Sequence, residues 1–341
     1  MPNKTLENLH LPALKSREEM LAILLEEEYG HLPEKPSEIS WRSEMLFEDY
    51  AGGKADLLCV HADCRINGKD FSFPFYAKLP KDGKQHPFFI HINFRDNVPD
   101  RYEPSEEILD NGFAVLTVCY NDVTMDNEDM NDGLAGVLFG GKERKDNDPG
   151  KIAMWAWAAH RLMDYAETRS DVLDLNCAIV CGHSRLGKTA LLAAATDRRF
   201  AFVYANESGN SGAALARPRD GETIAQICTK FPFWFCKNYL KYMDNEAAMP
   251  FDQHYLLACA APAKLALGCA SGDTWAGIHA QQMAALAAAP FFGKHNIPTD
   301  RFAEIGEEFF EGNIGYHLRQ GTHFFNRDDW QKAMKFVNMH R

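Results

Sequence analysis

The sequence has no apolar run approaching the ~20 residues that a membrane-spanning helix needs. Its first residues, Met1-Pro2-Asn3-Lys4-Thr5-Leu6-Glu7, hold no apolar stretch of the kind an export signal carries. It has no Cys-x-x-Cys pair, hence no zinc or thiol-redox signature. It has no cluster of lysines and arginines. Its 36 basic side chains stand against 48 acidic ones, a formal net charge of -12. These absences leave no helical membrane span in this sequence and argue against nucleic acid as a partner. They lead us to expect a cytoplasmic protein with a solvated acidic surface. Repeats and low-complexity linkers are absent too. The nine cysteines are an odd number, and Cys119, Cys177, Cys181 and Cys269 fall in apolar segments. Reduced, packed thiols fit that distribution better than a disulfide framework.

With 341 residues, 46% of them hydrophobic, the chain is long enough for one large α/β domain or for two smaller ones. Ser16-Arg17-Glu18-Glu19 is a capping box that opens an amphipathic helix ending near Gly30. Alternating runs around Leu57–Cys64 and Phe71–Ala77 read as antiparallel strands joined by the hairpin signal Asn67-Gly68. Fully apolar strands are expected at 87–92, 113–118, 177–181, 200–204 and 263–270, and a short one near 314–318. A short helix fits 104–109. Longer helices are expected at 151–168, about 222–243, about 275–289 and 328–340, with another starting near Phe251. Residues 121–150 read as a long loop without periodicity, and loops of that length are usually functional or mobile. Strands alternating with helices in this order predict an α/β-hydrolase fold: a mostly parallel central sheet between two helical layers, a three-layer α/β/α sandwich. The whole of 1–341 is expected to be one domain, with a helix and antiparallel strands (about 16–78) packed onto it.

The chain is organised around Gly182-His183-Ser184-Arg185-Leu186-Gly187-Lys188. It follows an apolar strand and precedes Thr189-Ala190-Leu191-Leu192-Ala193-Ala194-Ala195, which is rich in helix formers. Strand, sharp turn with a central serine, helix: this is the layout of a nucleophile elbow. The turn lifts a serine hydroxyl above the sheet edge, and the first helical amides point at the same spot. The usual pattern places glycine two residues after the serine. Here Leu186 stands there and the glycine follows at Gly187.

In this fold the acid and then the histidine follow the serine in the sequence. His323, after the last strand, is the expected base. His317 lies within that strand, where a structural histidine is the simpler reading. Asp273 follows the strand ending at Ala270, and Glu207 follows the strand ending at Tyr204. Either could orient an imidazole, and sequence order favours Asp273. Arg185 and Lys188 put two cations at a helix start, where the macrodipole opposes them. Positive charge there suits a developing oxyanion.

Gly-His-Ser-Arg-Leu-Gly-Lys resembles the elbow of the glucuronoyl esterases, carbohydrate esterase family 15. Further stretches resemble bacterial members: Asn206-Glu207-Ser208-Gly209, Arg219-Asp220-Gly221-Glu222-Thr223, Phe231-Pro232-Phe233-Trp234-Phe235, Gly272-Asp273-Thr274-Trp275-Ala276 and Gly315-Tyr316-His317-Leu318-Arg319-Gln320-Gly321-Thr322-His323. The resemblance implies Ser184 as nucleophile and His323 as base, with Glu207 and Asp273 both standing where members carry an acid. It implies Arg185 as oxyanion stabiliser, and Lys188, Glu222 and Trp275 as contacts to a glucuronoyl sugar. His183 replaces the cysteine that in fungal members ties the elbow to the histidine loop. The expected activity is hydrolysis of an ester between (4-O-methyl-)glucuronic acid and an alcohol, through an acyl-enzyme and without metal or organic cofactor. An acetyl-sugar esterase is the alternative, and a non-catalytic carbohydrate-binding relative the more distant one. Neither nucleic acid nor membrane is an expected partner, and nothing in the sequence fixes an oligomeric state.

Overall fold

The computed structural model describes residues 1–96 and 99–341. Its strands are β1 (Glu38–Asp49), β2 (Ala55–Ile66), β3 (Lys69–Pro80), β4 (His86–Asn93), β5 (Ala114–Cys119), β6 (Leu173–His183), β7 (Phe202–Asn206), β8 (Lys264–Ala270), β9 (Glu308–Phe309) and β10 (Ile314–Arg319). They form one sheet in the order β1-β2-β3-β5-β4-β6-β7-β8-β10-β9. From β5 across to β10 every pairing is parallel. β1, β2 and β3 pair antiparallel, β3 joins β5 antiparallel, and β9 closes antiparallel on β10.

The central strands read as unbroken apolar runs because both faces of the sheet are covered. Phe88, Ile90 and Ile92 of β4 enter a large core with Trp155, Leu191 and Leu256. Phe89, between them, enters a second core with Phe113, Trp330 and Phe336. The helices Lys151–Thr168, Arg185–Thr196 and Ile278–Ala288 supply the first layer, and Arg327–His340 the second. This is the expected three-layer α/β/α sandwich. Among the described residues no helix is long and apolar enough to cross a membrane. All nine cysteines are free.

Local signals hold where the chemistry is local. Ser16 accepts from the Glu19 amide and Glu19 bonds back, so the capping box forms, and its helix runs Arg17–Leu24 before widening into a π-turn at Leu25–Tyr29. Asn67 and Gly68 adopt left-handed φ of 51° and 76° between β2 and β3, as a two-residue hairpin turn requires.

Three expectations change. β1 is not among the expected strands: it is a sheet edge that alternates in burial only over its first five residues, with Ile39 and Trp41 turned inward, and is exposed beyond them. The stretch 121–150 is not without structure, because Gly133–Phe139 forms a helix that buries Leu134, Ala135 and Phe139. The helix expected over about 222–243 is shorter, Ile224–Lys230, and then breaks into 3-10 turns at Pro232–Trp234 and Lys237–Tyr242. Pro232 has no N–H to continue it, and the rings of Phe231 and Trp234 stack face to face instead, 3.9 Å between centroids.

Candidate active site

β6 delivers the elbow at its carboxyl end, and the helix Arg185–Thr196 leaves from it. Ser184 between them has φ 57° and ψ -127°, a strained conformation for a residue with a side chain. Close approach explains the glycines. A Cβ on Gly182 would lie 2.3 Å from the Leu186 carbonyl oxygen, and one on Gly187 3.1 Å from the Asn206 carbonyl oxygen. It also explains the departure from the usual pattern. Leu186 is fully buried in the large core, while Gly187 faces the chain leaving β7, so the position that must be small is Gly187.

His323 sits half-exposed in the loop after β10. Its Nδ1 lies 2.6 Å from Asp273 Oδ2 and 3.1 Å from Glu207 Oε2. Nε2 is thereby left for the serine side of the ring. Both candidate acids thus meet the same nitrogen, with Asp273 the nearer. Burial alone would lower the His323 pKa, but the two carboxylates outweigh it and raise the imidazole to about 9. Burial pushes the Glu207 carboxyl up, to about 8, against the pull of His323 and Arg319.

The group that assembles these parts is not among the residues expected from the sequence. Arg319, at the end of β10, is buried. Its Nε donates to both oxygens of Asp329, at 2.8 and 2.9 Å, and its Nη2 to Glu207 Oε1 at 2.6 Å. The same guanidinium donates to the carbonyls of Thr322 and Phe324, and the Phe324 amide donates to Glu207 Oε2 at 3.1 Å. The loop carrying His323 is therefore folded around one buried cation paired with two carboxylates. The available signal was a cation in an otherwise apolar strand, which must find partners when buried. His317, in the same strand, is fully buried, and its Nε2 lies 2.8 Å from the Tyr204 hydroxyl, so it is structural as read.

Arg185 leans over the rings of Trp234, Phe231 and Phe94, at 4.7, 5.4 and 5.6 Å from their centroids, and pairs with Asp126. Asp126 also accepts from Trp234 Nε1 at 2.6 Å and from the Tyr120 hydroxyl at 3.1 Å. No sequence spacing pointed to Asp126. Lys188 is buried, donates to the carbonyls of Ser208 (2.6 Å) and Asn210, and is lowered to about 8 by that burial. Trp275, half-exposed at the rim, donates from Nε1 to Glu222 Oε1 at 3.2 Å. A cleft of about 640 Å³ gathers Ser184, Arg185, Lys188, Glu207, Glu222, Trp275 and His323 on its walls. Asp273 stands behind His323. Every site residue expected from the sequence is therefore brought to this one place.

His183, Glu207 and His323 offer atoms within 4.8 Å of one another, a spacing compatible with a metal ion. Their chemistry argues otherwise. Both Glu207 oxygens already hold protein donors, one from the Arg319 cation, and His183 Nδ1 lies 2.7 Å from Asn206 Oδ1.

Comparison with known proteins places the chain among carbohydrate esterases. A family model described as fungal glucuronyl esterase matches residues 63–294. The carbohydrate esterase MZ0003, from an unknown prokaryotic organism, is 36% identical over 244 residues, covering 69% of this chain and 55% of that protein. The chain thus spans about half the length of the curated relatives it matches. Among solved structures, the glucuronoyl esterase from Solibacter usitatus superimposes with a TM-score of 0.85 at 32% identity, covering 95% of this chain and 92% of that one. A promiscuous CE15 esterase from a marine bacterial metagenome gives a TM-score of 0.84 at 29% identity, covering 96% and 91%.

Proposed function

The chain belongs to the glucuronoyl esterase family, and from that premise we propose that it is a serine esterase acting on the ester between (4-O-methyl-)glucuronic acid and an alcohol. The observation that carries this reading is the joint placement of Ser184 at a strained elbow, His323 backed by two carboxylates, and the Arg185 cation in a single cleft of sugar size.

Ser184 Oγ attacks the C6 carbonyl while His323 Nε2 takes its proton. Asp273 and Glu207 stabilise the imidazolium and fix the ring so that Nδ1 keeps its proton. Arg185 and the first amides of its helix stabilise the oxyanion. The imidazolium protonates the departing alcohol. Water, deprotonated by His323, then opens the acyl-enzyme and releases the uronic acid. Lys188, Glu222 and Trp275 are placed to take the sugar: a cation and a carboxylate for its hydroxyls, and an exposed indole for its ring.

The test is turnover of benzyl glucuronate against 4-nitrophenyl acetate and acetylated xylan. The glucuronate ester is expected to be preferred by kcat/KM, and preference for acetylated xylan would replace this reading by the acetyl-sugar one. Ser184→Ala is expected to lower kcat by ~10⁴-fold or more with folding intact, as for deletion of a triad nucleophile. A loss below tenfold in pure protein removes Ser184 from the mechanism.

A further inference from the structure

Ester hydrolysis converts a neutral acyl group into a carboxylate at the same place. A bare guanidinium beside the nucleophile would then hold product better than substrate, because arginine binds carboxylates through two parallel charge-assisted bonds. Arg185 is not bare. Asp126 pairs with its Nη1 from outside the cleft, and the Asp126 side chain is only 10% exposed against 25% for Arg185. Asp126 is itself held, by the Trp234 indole, the Tyr120 hydroxyl, and Asn121, whose Oδ1 accepts from the Asp126 amide at 2.9 Å.

The loop that presents Asp126 is built around a cation. Lys151 Nζ donates to the carbonyls of Met125 (2.5 Å) and Asp129 (2.6 Å) and lies 3.3 Å from Asn127 Oδ1 and from Asp132 Oδ1. Asp132 closes the ring by accepting from the Met125 amide. Lys151 is the first residue of its helix and fully buried. A cation gains nothing from a helix start, where the macrodipole opposes it, and its desolvation is costly. The polar loop is what accounts for it.

We propose that Asp126 is the counter-charge that keeps Arg185 from retaining the acidic product, and that Lys151 is the positioning residue that places Asp126. The proposal rests on the glucuronoyl esterase reading. Arg185 remains a donor to the transient oxyanion, whose charge is concentrated where the helix amides also point, while its net attraction for a free carboxylate is reduced.

The experiment is calorimetric titration of glucuronate into wild type, Asp126→Asn and Lys151→Met, with melting temperatures and benzyl glucuronate turnover measured on the same samples. Asp126→Asn is nearly isosteric and is expected to tighten glucuronate binding about tenfold, the size of one charge-assisted contact. Lys151→Met is expected to shift it the same way, and the double variant to add little, since both act through one contact. A merely structural loss would weaken binding instead. Unchanged or weaker glucuronate binding by Asp126→Asn, in an enzyme that turns over benzyl glucuronate, overturns the counter-charge and leaves the esterase reading standing. Wild type that neither binds glucuronate nor turns over its benzyl ester overturns both.

Discussion

One nitrogen atom concentrates the chemistry of this site. Nδ1 of His323 has a single proton to give, and two carboxylates reach for it, at 2.6 Å from Asp273 and 3.1 Å from Glu207. Removing the sole orienter of a triad histidine costs about 10⁴-fold in kcat. With a second carboxylate already in contact, Asp273→Ala and Glu207→Ala should each cost much less. The double variant should cost more than the product of the singles, because each residue covers for the other. Asp273→Ala should be the more damaging single, since Asp273 holds the shorter contact and Glu207 divides itself between His323, Arg319 and the Phe324 amide. The check is kcat for the three variants, with folding confirmed. If one single variant is as inactive as the double, only that acid orients the imidazole.

At the scale of elements, the parts legible in the sequence are those whose signal is local. The elbow between β6 and its helix, the Ser16 capping box, the Asn67-Gly68 turn and the apolar strands are written in contiguous residues. The edge strand β1 was not legible because its alternation is confined to Glu38–Arg42 and the rest of it is exposed. His323 could be reached from topology, and Asp273 and Glu207 from their places after β8 and β7. Asp126 lies in a loop that no strand end or motif marks, and Arg319 was marked only as a cation in an apolar strand, with nothing to name its partners 10 and 112 residues away. Arg319 also carries a prediction of its own. It joins β10, the His323 loop, Glu207 and, through Asp329, the last helix. Arg319→Met keeps the stem but strands two buried carboxylates, and breaking such a pair typically costs ~3–5 kcal/mol. Chemical denaturation should show a loss of that order. Arg319→Lys should recover only part of it, because one ammonium cannot fork to both acids. Wild-type stability in Arg319→Met would mean that the clamp is ornamental.

For the molecule as a whole, the charges that make the site work set activity and stability against each other as pH rises. His323 stands at about 9 in the folded protein against 6.5 in an unstructured chain. The base must be neutral to accept the serine proton, so kcat/KM should climb with pH to a midpoint well above 6.5, towards 9. Stability has the opposite sign. A group whose pKa is raised by folding contributes fully below its unfolded pKa, and that contribution is lost as pH rises through the folded value. The His323 contribution is therefore complete below about pH 6.5 and lost by about pH 9. Lys188 offsets part of the loss only above about pH 8, where its lowered pKa favours the folded state. Wild type should thus lose melting temperature between pH 6.5 and 9 while it gains kcat/KM. His323→Gln, which cannot titrate, should lose less melting temperature over the same interval. Parallel melting curves for the two proteins from pH 6.5 to 9, or a rate profile already flat at pH 6.5, would show that the two carboxylates do not hold a proton on His323.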